Sequence, residues 1–230
     1  MATLSYELLD LYLNAEIRSS TVNNEAVEGG RKRLRALRDG SLSVADWVFA
    51  MTLAGYGHIV SVGTRTTVAT FKTGYTAAQP ELVLDVPAGR VAVPTFIDLQ
   101  LEDSAGTDNE VYAVTGDNAV GAGTSTEIVA STVLGAVNGS QKGDTMASRA
   151  YSLYSASGTA PTNTVEFWRE GNAFVDAAAN PKVRPWSIKS AQPVIVVGLG
   201  CIAIYVGATG TASAGYLKLG FLEFPTEFLR

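Results

Sequence analysis

Gly215-Tyr-Leu-Lys-Leu-Gly-Phe-Leu-Glu-Phe224 sets Tyr216, Lys218 and Gly220 against Leu217, Leu219 and Phe221. Side chains of a strand point alternately to opposite faces, so this period of two describes a strand with one buried face. The same texture runs backwards as far as Gly57: β-branched and aromatic residues, cut by Gly, Pro, Asn and Asp at intervals of about ten. It predicts strands near Ile59–Phe71, Leu82–Val86, Thr95–Leu101, Glu110–Val114, Thr126–Val137, Arg149–Tyr154, Thr164–Arg169, Val183–Ile188, Val194–Val206 and Gly215–Phe224. Many short strands with turn-rich connections mean a β-sandwich or barrel rather than βαβ units. The Gly-, Ser- and Thr-rich stretches Ala119–Ser125 and Asn138–Thr145 are expected to be exposed loops.

Before residue 57 the period changes. Leu8, Leu9, Tyr12, Leu13 and Ile17 recur at helical spacing, and Leu34 and Leu37 continue after a polar break. Ser41 or Ser43 offers an N-cap for a short third helix carrying Val44, Trp47, Val48 and Met51. The expected organisation is therefore a helical N-terminal arm over 1–56 and an antiparallel β-sandwich over 57–230.

Composition narrows the function classes. Apolar residues make up 47% of the 230 residues and charged ones only 17%, below the roughly 25% usual in soluble chains. An apolar excess with so few charges is safest when covered in an oligomer. A net charge of −5 argues against a chain that coats nucleic acid, which needs a broadly basic face. The exception is Arg31, Lys32, Arg33, Arg35 and Arg38. This run reads either as a solvated helix face pairing with Glu25 and Glu28, or as an inward-facing contact with nucleic acid or an acidic neighbour. No basic n-region and apolar h-region open the chain, so no signal peptide is expected. The longest apolar run, Pro193–Val206, falls short of the roughly 20 residues a membrane span needs.

Enzymatic motifs fail on context. Val194–Ala203 contains Gly198-x-Gly200-x-x-Ala203, with Glu223 at a distance that suits a ribose, as in a dinucleotide fingerprint. The segment that should then be helical is β-branched and carries Gly207, Gly210 and Gly215, so a buried strand with a Gly kink is the better reading. Ser213 lacks the strand-turn-helix setting of a nucleophile elbow. His58 is the one histidine and Cys201 the one cysteine, which leaves neither a triad nor an N/S zinc site. Glu102, Asp103, Asp108, Glu110 and Asp117 read as solvated turn carboxylates, with a loop-stiffening calcium as the competing account. No catalytic, cofactor or metal site is expected. Trp47, Trp168 and Trp186 are read as core or interface anchors.

A helical arm, about ten strands and an uncharged Ser/Thr/Gly-rich surface together resemble the single jelly-roll capsid proteins of viruses and bacteriophages. The resemblance implies a non-enzymatic virion protein whose partners are copies of itself and other virion proteins, with the arm reaching inward or to a neighbour. The implied contacts are Tyr6, Leu9, Leu13 and Ile17 for arm packing, Trp186 as an anchor, and Arg31, Arg33, Arg35 and Arg38 for an electrostatic contact, including weak nucleic-acid contact. The arm departs from the strongly basic arm of plant-virus-like shells. GYLKLGFLEF also looks like the closing strand of trimeric jelly rolls of the tumour-necrosis-factor-like type, which implies a spike, decoration or receptor- or carbohydrate-binding module as the alternative. Exposed aromatics gathered at one end of the sandwich would mark that alternative, with Tyr151, Tyr154 and Trp168 as candidates.

Overall fold

The computed structural model describes residues 47–53, 55–63, 67–103, 109–121, 126–127, 132–134, 147–152, 158–170, 183–189, 193–208 and 212–229. Helix α1 (Trp47–Leu53) precedes the strands β1 (Gly57–Val62), β2 (Ala69–Thr70), β3 (Leu82–Val86), β4 (Arg90–Asp103) and β5 (Asn109–Gly116). There follow β6 (Thr126–Glu127), β7 (Thr132–Leu134), β8 (Arg149–Ser152), β9 (Val165–Glu170) and β10 (Val183–Ser187). The remaining elements are β11 (Val196–Val197), β12 (Gly200–Ala208), β13 (Ala214–Pro225) and a 3-10 turn, η1 (Thr226–Leu229).

The strands form two antiparallel sheets arranged as a sandwich. One runs β10-β4-β13-β1-β7, with β11 also on β4 and β2 also on β13; the other runs β6-β8-β3-β12-β5-β9. Four pairings are nested in sequence: β1 with β13, β3 with β12, β4 with β10, and β5 with β9. Two further pairings, β13 with β4 and β12 with β5, join these ribbons into sheets.

The alternation that opens the sequence argument is what holds the sheets together. Leu217, Leu219 and Phe221 of β13 face the interior with Val60, Ile97, Leu99, Leu84, Ile202 and Ile204, all essentially inaccessible to solvent. Each such side chain stabilises the fold by roughly 1.5–3 kcal/mol on burial. Thr95 of β4, skipped between the Phe96–Gly220 and Pro94–Phe221 pairs, forms a bulge that shifts the phase of β4. Beyond it Leu222 and Phe224 join Val91 and Val93 in a separate cluster, against which Met51 and Tyr56 pack. Gly220 sits under the ring of Phe96, where any Cβ would collide with that ring.

Several expectations shift. The strand expected over Ile59–Phe71 is described as β1, ending at Val62, and a separate β2 at Ala69–Thr70 on β13. The strand expected over Val194–Val206 is broken by a turn at Gly198–Leu199 into β11 and β12. Helix α1 is the described part of the expected third helix; Met51 docks it on the β4–β13 cluster, so the compact unit begins at Val48 and not at residue 57. The expected arm helices and the loop Asn138–Thr145 lie outside the described residues.

Candidate functional site

At one end of the sandwich the chain between β2 and β3 lies along the end of β12, and a buried carboxylate fixes it there. β3 leaves β12 at the Leu82–Ile204 pair. The Glu81 side chain supplies the missing acceptors: Val206 N–H donates to its Oε2 and Lys72 N–H to its Oε1, both at 3.1 Å. Glu81 N–H in turn donates to the Ile204 carbonyl at 3.0 Å. Burial pushes the Glu81 carboxyl up to about 7, against the opposing pull of the Val206 and Lys72 amides.

The same strap carries Tyr75. Its ring meets Tyr112 edge-on at 4.8 Å, and Tyr112 stacks on Tyr205 at 4.7 Å. The Tyr205 hydroxyl donates to the Ala77 carbonyl at 2.7 Å, and the Tyr75 hydroxyl donates to Glu110 at 3.3 Å. Arg169 lies over Tyr112 at 4.9 Å and is held by Glu166 at 2.9 and 2.6 Å. Beside Tyr75 an open cleft of about 560 Å³ is lined by Phe71–Thr76 and Ala212. The arrangement offers a half-exposed tyrosine whose hydroxyl meets a carboxylate, a guanidinium and a second carboxylate.

At the opposite end, carboxylates hold loops. Asp85 of β3 accepts from Val120 and Gly121 N–H at 2.8 Å each; burial raises its carboxyl, and those amides oppose the rise. Hydrogen bonds from Asn163 and Thr162 hold the Asp117 carboxyl below its usual range. Asn118 accepts from Thr162 N–H at 2.7 Å and donates to the Ala160 carbonyl at 3.1 Å. Glu223, inside the sandwich on β13, accepts from Ala147 and Ser148 N–H at 2.7 Å each and so ties its sheet to the approach of β8 in the other.

The turn between β11 and β12 is apolar and outward-facing. Ile195, Val197 and Leu199 are 53%, 48% and 63% exposed around buried Val196.

Of the contact residues read from the sequence, Tyr6, Leu9, Leu13, Ile17, Arg31, Arg33, Arg35 and Arg38 lie outside the described residues. Trp186 is in the core at 4% exposure with its ring edge-on to Phe167, so it realises the core alternative and not a surface anchor. The dinucleotide-like segment is strand, turn and strand, with Gly200 opening β12 where a cofactor fold would open a helix. Ser213 and His58 are buried, the latter stacked on Phe221. Burial pushes the Cys201 thiol up to about 12. Glu110 and Asp117 stand at opposite ends of β5, and among the described residues no three His, Cys, Asp or Glu side chains converge as metal ligands would. Among those residues, too, no helix is long and apolar enough to cross a membrane.

The buried acceptors Glu81 and Glu223 and the partly buried Asp85 escape a reading of motifs. Their signal is a carboxylate inside an otherwise apolar strand run, Glu81-Leu-Val-Leu-Asp85 and Leu222-Glu-Phe224, where an unpaired charge is too costly to keep. No family model matches the chain, and a search of curated proteins finds no match to it.

Proposed function

We propose that the chain is a structural, non-enzymatic subunit of a virion shell and that its sandwich is a jelly roll. The observation that carries this reading is the strand order. Taking β1, β3, β4, β5, β9, β10, β12 and β13 as strands one to eight, the sheets run one-eight-three-six and two-seven-four-five. That order arises when one long hairpin, first strand against last, wraps into two Greek keys, the arrangement of jelly-roll capsid and lectin domains. The low charge density and the exposed Ile195, Val197 and Leu199 support a surface meant for copies of the chain and other virion proteins. In this reading the N-terminal arm, expected to be helical over 1–56 and carrying one basic cluster, ties neighbouring subunits or touches packaged nucleic acid.

Light scattering coupled to size exclusion, followed by negative-stain imaging across protein concentration and salt, tests it. Shells, rings or sheets of megadalton mass are expected; a protein that stays monomeric throughout refutes it.

The half-exposed Tyr75 beside Arg169, Glu110 and Glu166 favours one second reading, a trimeric spike or decoration module that binds a receptor or carbohydrate, since sugars are held by aromatic faces and charged hydrogen-bonding groups. A sharp trimer that never grows, with glycan binding lost in Tyr75→Ala, would select it.

A further inference from the structure

The edges of the two sheets are treated unequally. On one flank, β1 is covered by β7, and β3 by β8 and then β6. On the other flank β9 carries Glu166, Arg169 and Glu170, and β10 carries Pro185; charges and proline are the usual guards of an open edge. Strand β11 lies on the same side of β4 as β10 and has neither guard. Val197 pairs with Val91 across the ladder, so the two side chains share the outer face of the sheet. The exposed aliphatic ridge therefore sets Val197 beside Val91 of the buried outer-face cluster of Val91, Val93, Leu222 and Phe224. Its shape is fixed by close packing: Gly198 lies against the Pro87 carbonyl, where a Cβ would overlap the backbone, and Gly198 N–H donates to the Arg90 carbonyl at 2.9 Å. Val197 and Leu199, on either side, stay turned outward.

We infer that Pro193–Gly200 is a two-fold self-association surface whose occupant is the same segment of a second copy, the β11 strands meeting antiparallel with Ile195 and Val197 at the centre. The charge pattern selects this occupant. In a contact of a patch with itself, any charge near the axis meets its own like charge. No Asp, Glu, Lys or Arg occurs between Lys189 and Lys218, so the segment itself brings no like charge to the axis although the chain as a whole carries −5; the charged residue beside it is Arg90, whose carbonyl accepts from Gly198 N–H. Among the described residues β11 pairs with β4 alone, and an edge strand must pair or hydrate its outward backbone groups. The inference rests on the reading of the chain as a self-assembling subunit and names the contact through which copies first meet.

The test uses the full chain. Sedimentation equilibrium compares wild type with Ile195→Asp and Leu199→Asp, with folding checked by thermal melts. A second variant, Val197→Cys, is treated with a short bismaleimide; Cys201 is buried, so the introduced thiol is the reactive one. Dimer dissociation constants raised roughly tenfold or more by either Asp substitution, together with efficient linking of Val197→Cys into covalent dimers, are expected. Unchanged dimer affinity in the Asp variants, or a Val197→Cys chain that dimerises without linking, overturns the inference. Shells that form equally well from wild type and the Asp variants overturn it while leaving the shell reading intact. A ridge-dependent dimer that never grows sustains it and refutes the shell reading.

Discussion

Glu81 makes the stability of this sandwich depend on pH in an unusual direction. Its carboxyl is raised to about 7 from an ordinary 4.5, chiefly by burial. Between these values the folded chain holds the proton more tightly than the unfolded chain does. Unfolding then releases protons, and stability falls as pH rises through that window, levelling off above about 7. At about 1.4 kcal/mol per pH unit, the gap is worth about 3 kcal/mol. Other carboxylates titrate nearby, so the measurable quantity is the difference between wild type and Glu81→Gln. The neutral amide loses one of the two backbone partners at every pH, but it escapes the cost of a buried charge. Wild type should therefore be the more stable protein at pH 4.5, with its advantage shrinking by about 3 kcal/mol by pH 8. That corresponds to roughly 6–12 °C in the difference of melting temperatures for a domain of this size. Thermal or urea unfolding followed by circular dichroism at half-unit pH intervals reads it directly. Parallel profiles for the two proteins would refute the argument and mean that water or local opening solvates the carboxylate.

Glu223→Gln should cost about 1–3 kcal/mol, because one of the two amides at Ala147 and Ser148 loses its acceptor; hydrogen exchange at those two amides should accelerate with it. Cys201 should resist iodoacetamide at pH 8 in the folded protein and react fully in urea, since its thiol is buried and raised to about 12. Labelling of the native chain would show that the outer face of β12 opens. Deleting residues 1–40 should leave a cooperatively melting β domain with altered assembly, whereas loss of cooperative unfolding would place part of the arm in the core.

How far the sequence discloses the fold depends on whether the signal is local. Leu82–Val86 emerges with the boundaries read from its residues, and Ala214–Pro225 and Val165–Glu170 within a residue or two, because alternation and flanking turn residues act over a few positions. The break after Val62 was not legible: Gly63 and a run of threonines look like a continuing strand, while Gly63 adopts φ 86°, a left-handed conformation that turns the chain. Nor was the role of Glu223 legible. Its meaning comes from two backbone amides 76 and 75 residues away, and no local pattern reports them. Trp186 shows the same limit, since a large ring in a strand fits a core or an interface equally well until its neighbour Phe167 is known.

The nesting of first strand against last also sets a timetable for synthesis. Val62 pairs with Leu217, and Gly57 with Leu222, so at ~5–20 residues per second the ribosome makes β1 roughly 10–30 s before its partner exists. The delay is acute because β13 is not a peripheral strand: it stands between β1 and β4, in the middle of its sheet. Until β13 emerges, two apolar strands wait with open ladders facing each other's empty place. At high expression such nascent chains can fill that place with one another, so chaperone supply and translation rate, more than the stability of the finished sandwich, would govern the yield of native protein.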